Sequence, residues 1–129
     1  MRKIIAILLF VVGVIHLLPL VGIAGPEKLA TLYGIQVGEP NLAILMRHRA
    51  VLFGLLGAFM CYSAFRPNLQ LFSLIGGFIS VGSFLWLAWT TGGYNAMVGK
   101  VVVADVFALL FLFVASSLYV LVMTGRGDR

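Results

Sequence analysis

Hydrophobic residues occur in four long runs, and short segments that contain proline, glycine or asparagine separate them. An α-helix needs about 20 apolar residues to cross the hydrocarbon core of a bilayer. The pattern predicts helices over residues 3–18, 41–65, 69–91 and 95–123. We therefore expect an all-α fold, an integral membrane four-helix bundle that forms one domain over residues 1–129.

The segment 21–40 is the only substantial loop between the predicted helices. Pro26 suits the first turn of a helix, and Leu29, Leu32 and Tyr33 would then share one apolar side. This arrangement predicts a short interfacial helix within the loop. The basic start, the apolar run and the small residues Gly22 and Ala24 are also typical of a secretory signal, and we expect this first segment to stay as a membrane anchor.

Composition agrees with a location in the membrane. The chain is 62% hydrophobic and 10% charged, whereas soluble domains carry about 25% charged residues. The net charge of +5 does not indicate a nucleic-acid partner, because the basic residues form no stripe interleaved with aromatic side chains. The single cysteine, Cys61, excludes an intrachain disulfide and a paired-cysteine redox site.

Basic residues near the helix ends indicate how the bundle is oriented. Five of them fall on the side of the chain termini: Arg2, Lys3, Arg66, Arg126 and Arg129. The opposite side receives Lys28 and Lys100, together with Arg47 and Arg49 if these two are counted as outside. Cytoplasmic loops carry an excess of lysine and arginine, so we expect both termini in the cytoplasm.

Arg47, His48 and Arg49 directly precede the apolar run 50–65, in a chain with little other charge at membrane depth. An arginine at the centre of a membrane helix costs roughly 2.5–3.5 kcal/mol on insertion scales, so such residues usually have a partner. Asp105 is the only acidic residue inside a predicted span. We expect Arg49 to pair with Asp105, with Arg47 as the second choice.

Consecutive helices joined by short loops alternate in direction, which brings the polar residues into one layer. This layer lies in the outer half of the bundle, and the inner half is predicted to be almost purely apolar. All four helices contribute to the layer: His16, Arg47, His48, Arg49, Trp86, Trp89 and Asp105.

Two interpretations of this layer stay open. The arginine–aspartate pair can simply fix the register of two helices, while Arg47 extends to the lipid headgroups. Alternatively, the surplus of positive groups over one aspartate forms a pocket for an anionic or carbonyl-bearing ligand, such as a lipid headgroup or a quinone. Trp86, Trp89 and Tyr94 would then be either an interfacial aromatic belt or the rim of that pocket.

His16 and His48 allow a further hypothesis, in which they are the two axial ligands of one haem and the arginines lie near its propionates. No other metal site, cofactor or catalytic residue is predicted from the sequence. Small residues recur at helical spacing on every predicted helix, which is typical of close helix packing in membranes. They predict either a tight bundle or contacts within a homodimer or larger membrane complex: Ala6, Gly13, Ala50, Gly54, Gly57, Ala58, Ser73, Gly76, Gly77, Ser80, Ser83, Ala104, Ala108 and Ala115.

Several short motifs give the chain a resemblance to the DoxX-like group of small bacterial membrane proteins. They are GVIHLLP at 13–19, LYG at 32–34, MRHRAVLFG at 46–54 and the acid Asp105 in the fourth helix. The resemblance implies a four-helix bundle in the bacterial inner membrane. Some relatives are associated with quinone-linked oxidation or redox stress, and no residue-level role carries over from them.

Three functions are compatible with these patterns. The first is a binding or accessory subunit with an outer-half pocket for a lipid or a quinone. The second is a component of a quinone-linked oxidoreductase, and the third is a small transporter in which Asp105 couples protons. The sequence contains no HExxH or GxSxG motif, and we expect a binding role rather than a catalytic one.

Overall fold

Helices make up almost all of residues 1–125, the part of the chain that the computed structural model describes. Helix α1 is Arg2–Leu17, and a 3₁₀ segment, Leu18–Ala24, continues it. Then follow α2 (Pro26–Tyr33), α3 (Pro40–Ala64), α4 (Gln70–Thr91) and α5 (Ala96–Thr124). Residues 1–125 contain no strand, so the predicted all-α class is confirmed for them. Arg126 and Arg129, two of the residues used to predict orientation, lie outside the described residues.

Four of these elements are long and apolar enough to cross a membrane: Arg2–Ala24, Pro40–Ala64, Gln70–Thr91 and Ala96–Thr124. This arrangement is that of a multi-pass membrane protein. The four long α-helices begin and end within one residue of the predicted positions. The first span is longer than predicted, because Pro19 cannot continue the α-helical hydrogen bonds and the chain tightens into a 3₁₀ segment where a loop was expected from residue 21.

Side-chain caps determine where two of the helices begin. The Glu39 carboxylate accepts hydrogen bonds from the backbone N–H groups of Asn41 (3.0 Å) and Leu42 (2.8 Å) at the start of α3. The Asn95 side-chain oxygen accepts one from the Val98 N–H (2.9 Å) at the start of α5. Such caps satisfy N–H groups that have no partner within the helix.

Helix α1 lies at the centre of the bundle and packs against α3 and α5. Its residues Ile5, Leu9 and Val12 are almost fully buried, and Met60 of α3 and Leu112 of α5 are buried in the same core. The inner half is less apolar than predicted. Ser63, Gln70 and Ser73 are buried there, because the turn between α3 and α4 directs the Gln70 amide back to the Ala64 carbonyl (3.1 Å) and brings the two serine hydroxyls into contact.

The backbones of α1 and α3 nearly touch where Gly13 faces Gly57. A Cβ atom on Gly57 would lie 2.7 Å from the Gly13 carbonyl oxygen, and one on Gly13 would lie 2.7 Å from the Cys61 sulfur. Small residues permit this close approach, which strengthens van der Waals packing between helices in lipid. Of the small residues predicted for α3, Gly54 and Gly57 are buried and Ala58 is exposed.

A second, smaller core covers one end of the bundle. Leu29 and Tyr33 of α2 are buried together with Val37, and they pack against Met46 of α3 and Val98 of α5. The short helix predicted within the loop is therefore present, and its apolar side faces the bundle.

The close approach of α1 and α3 predicts a penalty for adding a single methyl group at Gly57. In Gly57→Ala the new Cβ meets backbone atoms of Gly13 and Leu17, so α1 and α3 must separate. We expect a loss of about 1–3 kcal/mol in the free energy of unfolding, as for other overpacked sites, measured by denaturant titration in detergent micelles. The control is Gly82→Ala in α4, where no heavy atom lies within 4 Å of the added Cβ. An equal loss in both variants would contradict the proposed contact.

The Glu39 cap should make the stability of the first turn of α3 depend on pH. The N–H groups of Asn41 and Leu42 stabilise the carboxylate and hold the pKa of Glu39 below its usual value. A carboxylate whose pKa is lower in the folded state contributes stability above the unfolded-state pKa and loses it as the pH falls through the folded-state pKa. We therefore expect acid to speed amide exchange at Asn41 and Leu42, after correction for intrinsic rates. Glu39→Ala should exchange rapidly at every pH, whereas Glu27→Ala should behave like the unaltered chain.

Candidate functional site

A cavity of about 220 Å³ lies at the end of the bundle that α2 covers. Residues from α1, the 3₁₀ segment, α2, α3, α4 and α5 all line it. Most of the lining is apolar, and five side chains bring polar or charged groups to it: His16, Tyr33, Arg49, Lys100 and Asp105. The cavity is therefore at the level of the predicted polar layer.

Aromatic side chains surround the Arg49 guanidinium. Its central carbon lies 4.7 Å from the centre of the Phe53 ring, 5.4 Å from that of Tyr33 and 6.0 Å from that of Phe84. The Arg49 Nη1 also donates a hydrogen bond to the Tyr33 hydroxyl (2.9 Å). Cation–π contacts contribute about 0.5–1 kcal/mol at exposed sites and about 2 or more when water is excluded. Arg49 is thus held in place mainly by aromatic neighbours.

Asp105 lines the same cavity from α5. Val101 lies four residues before it, a spacing that places side chains next to each other, and Lys100 and Ala104 of the same helix also line the cavity. No salt bridge joins Asp105 to Arg49 within residues 1–125, because the guanidinium is directed to Tyr33. Arg49 of α3 and Asp105 of α5 both line the cavity. The predicted pair is therefore found as two opposite charges at one cavity, without a salt bridge between them.

His16 is 3% exposed and forms part of the cavity lining. Its Nδ1 lies 2.8 Å from the Val12 carbonyl oxygen, and its Nε2 lies 3.1 Å from the Ser80 hydroxyl. A carbonyl oxygen can only accept, so Nδ1 must carry a proton, and in a neutral ring Nε2 then accepts from Ser80. The ring also packs against Phe53, with 5.8 Å between the two ring centres. Both nitrogens are therefore engaged, and binding a metal through Nε2 would break the bond to Ser80.

Asn95 fastens α2 over the cavity. Its amide nitrogen donates to the carbonyl oxygens of Tyr33 (2.9 Å) and Gly34 (3.2 Å), while its amide oxygen caps α5 through Val98. Gly34 has a backbone φ of 65°, a conformation that favours glycine. The position of the Tyr33 ring beside Arg49 thus depends on the connection between α2 and α5.

The remaining residues of the predicted layer lie outside the cavity lining. Arg47 is exposed, and its Nε donates to the Ile23 carbonyl oxygen (3.0 Å), which fastens the end of the 3₁₀ segment to α3. His48 is exposed. The aromatic residues of the predicted rim are also exposed, to 61% for Trp86, 76% for Trp89 and 47% for Tyr94. The structure thus brings together His16, Arg49 and Asp105 and separates the other predicted residues from them.

The haem hypothesis pairs a buried histidine, His16, with an exposed one, His48. Residues 1–125 contain no cluster of three or more histidine, cysteine, aspartate or glutamate side chains that could hold a metal ion. A haem between these two histidines would need His16 to give up its contact with Ser80.

Among the aromatic and charged lining residues, four were not predicted as part of the site: Tyr33, Phe53, Phe84 and Lys100. Phe53 lies four residues after Arg49 on the same helix, a spacing that places side chains next to each other. That spacing could have identified Phe53 from the sequence. Tyr33 and Phe84 approach Arg49 from other helices, so no local pattern indicates them.

A scan against protein-family models gave no match for this chain, and neither did searches of curated proteins and of solved structures.

Proposed function

We propose that this protein binds the polar end of a membrane-soluble ligand in the cavity beside Arg49. The ligand carries a carbonyl or an anionic oxygen, as in a quinone ring or a lipid headgroup. The observation that carries this proposal is a guanidinium held by three aromatic rings and one hydroxyl at a mostly apolar cavity. A guanidinium has five N–H donors, and the bond to Tyr33 uses one of them.

The charge balance of the lining favours an electron-rich ligand. Arg49 and Lys100 carry positive charge at the cavity, and Asp105 carries the negative charge. His16 adds no further charge while its ring is neutral. A cavity with a surplus of positive charge attracts an anion or the oxygen of a polarised carbonyl.

The size of the cavity indicates how much of the ligand it encloses. Pockets that bury a whole drug-sized molecule usually measure about 300–1,000 Å³, whereas this cavity measures about 220 Å³. It therefore suits a ring or a headgroup, with an apolar tail outside. Leu18, which is 60% exposed, forms part of the lining where such a tail would leave. A quinone held in this way would also suit a subunit of a quinone-linked oxidoreductase.

We also propose that the protein lies in the inner membrane of a bacterium, that it belongs to the DoxX-like group and that both of its termini are in the cytoplasm. The positions of charged residues support this orientation. Arg2, Lys3 and Arg66 lie at the end of the bundle that carries the first residues of α1, and Arg126 and Arg129 follow α5 in the sequence. The end covered by α2 has Lys28 and Lys100, together with Arg47 and Arg49 if these two are counted as outside. Under the positive-inside rule, the cavity beside Arg49 then opens in the outer half of the membrane.

Removing the guanidinium of Arg49 should weaken binding of the ligand. Arg49→Gln should bind a short-tailed benzoquinone roughly 10- to 150-fold more weakly, since a hydrogen bond to a charged group contributes about 1.5–3 kcal/mol. Binding is measured by native mass spectrometry of the full chain in detergent. Arg66→Gln is the matched control, because it removes the same charge from an exposed residue at the opposite end of the bundle.

A second variant separates loss of binding from loss of folding. Ala104→Leu keeps every charge and places a larger side chain on the α5 wall of the cavity. It should weaken binding while the protein stays folded, as judged by helical circular dichroism and size-exclusion chromatography. If both Arg49→Gln and Ala104→Leu bind as tightly as the unaltered chain, the cavity is not the binding site.

The orientation predicts opposite labelling of two engineered cysteines in a Cys61→Ala background. Gly38→Cys lies in the exposed segment before α3, and Pro67→Cys lies in the turn between α3 and α4. A membrane-impermeant maleimide should label Gly38→Cys in intact cells after passage through the outer membrane, and Pro67→Cys only after the inner membrane is opened. Labelling of Pro67→Cys in intact cells would reverse the orientation.

A further inference from the structure

A second cavity, of about 310 Å³, lies at the opposite end of the bundle from Arg49. It is enclosed by the first turn of α1, the turn between α3 and α4, and the last turns of α5. Arg2, Asn68 and Tyr119 bring a guanidinium, an amide and a hydroxyl group to its lining. Within residues 1–125 these three side chains make no hydrogen bond to another protein group.

The charge around this cavity is positive. Arg2 lines it, and Lys3 and Arg66 lie at the same end of the bundle. The acidic residues of the described chain, Glu27, Glu39 and Asp105, all lie toward the other end. An anion at the second cavity would therefore meet a positive charge and neutral donors, and none of the described carboxylates would repel it.

Apart from the Gln70 amide, which donates to the Ala64 carbonyl oxygen, the remainder of the lining is apolar. Ile5 lies one turn deeper in the bundle than Arg2 on α1, and Val122 and Met123 lie between Tyr119 and the end of α5. A dissolved anion would leave these side chains without a partner, whereas the glycerol and upper acyl carbons of a phospholipid would cover them. Basic pockets between transmembrane helices are known to hold anionic lipid headgroups.

We propose that the cavity lined by Arg2, Asn68 and Tyr119 binds the phosphate of an anionic phospholipid from the adjacent leaflet. The Arg2 guanidinium forms charge-assisted hydrogen bonds with the phosphate oxygens, and Asn68 and Tyr119 donate to the same group. The first acyl carbons lie against Ile5 of α1. This lipid site is separate from the cavity beside Arg49 and does not depend on its ligand.

Native mass spectrometry of the full chain with added phosphatidylglycerol tests this site. Arg2→Gln should weaken binding of this lipid about fivefold or more, because a basic residue near an anionic surface contributes about 1 kcal/mol. Lys3→Gln is the matched control. It removes the same charge one residue away, from a side chain that lines a neighbouring apolar groove instead. Its effect should stay below about twofold.

One further variant and one further background test whether the lipid binds at this cavity. Tyr119→Phe keeps the packing of α5 and removes only the hydroxyl, and it should weaken binding about two- to fivefold. The comparison of Arg2→Gln with Lys3→Gln is repeated in an Arg49→Gln background, so that lipid in the cavity beside Arg49 does not contribute. The dependence on Arg2 should persist there.

Three results would overturn the proposal. Equal weakening by Arg2→Gln and Lys3→Gln would show general attraction to a basic surface. Equal binding of phosphatidylglycerol and phosphatidylcholine would show that the negative charge of the lipid is not recognised. Displacement of phosphatidylglycerol by millimolar inorganic phosphate, with the same dependence on Arg2, would show a phosphate site that does not need the lipid.

Discussion

The contact between α1 and α3 at Gly13 and Gly57 determines where the rest of the molecule can lie. It brings the two backbones so close that neither glycine has room for a Cβ atom. About one turn further along α1, this proximity places the His16 ring against Phe53. Beyond it, Leu20 of the 3₁₀ segment reaches Gly54 of α3. One wall of the cavity beside Arg49 is therefore a consequence of how tightly these two helices pack.

Arg49 illustrates how a membrane helix can accommodate a cation without a carboxylate in contact with it. Placing an arginine at the middle of a membrane helix costs roughly 2.5–3.5 kcal/mol on insertion scales. Cation–π contacts contribute about 0.5–2 kcal/mol, and Arg49 has three aromatic rings within 6.0 Å. The hydrogen bond to Tyr33 contributes about 1.5–3 kcal/mol more. These contributions are of the same size as the cost, so Asp105 is not needed to hold Arg49 in place and can face a ligand.

The helices were predictable from the sequence because each depends on a local pattern of twenty or more residues. The level of the polar layer was predictable as well, since it follows from the alternating direction of the helices. The orientation of individual side chains within the layer was not. Arg47 donates a hydrogen bond to the Ile23 carbonyl oxygen. This oxygen lies within reach of Arg47 because the chain continues past Pro19 as a 3₁₀ segment. No pattern around Arg47 reports that change.

The site was less predictable than the fold because its parts come from distant segments. Tyr33 reaches Arg49 only after Leu29 and Val37 pack on the ends of α3 and α5. The inner half was predicted to be almost purely apolar, and Arg2, Asn68 and Tyr119, which line the cavity at that end, are far apart in the sequence. Each of these residues alone resembles an ordinary helix end, and only the folded chain brings them to one cavity.

Asn95 has a consequence for how this chain can change during evolution. Its amide nitrogen donates a hydrogen bond to the Tyr33 carbonyl oxygen at the end of α2, and its amide oxygen accepts one from the Val98 N–H at the start of α5. Aspartate could keep the cap on α5, but as a carboxylate it has no N–H for the Tyr33 carbonyl. Serine has a single hydroxyl and cannot reproduce both amide N–H bonds to α2. Position 95 therefore ties the cover of the cavity to the helix that carries Asp105, and few replacements could alter one without disturbing the other.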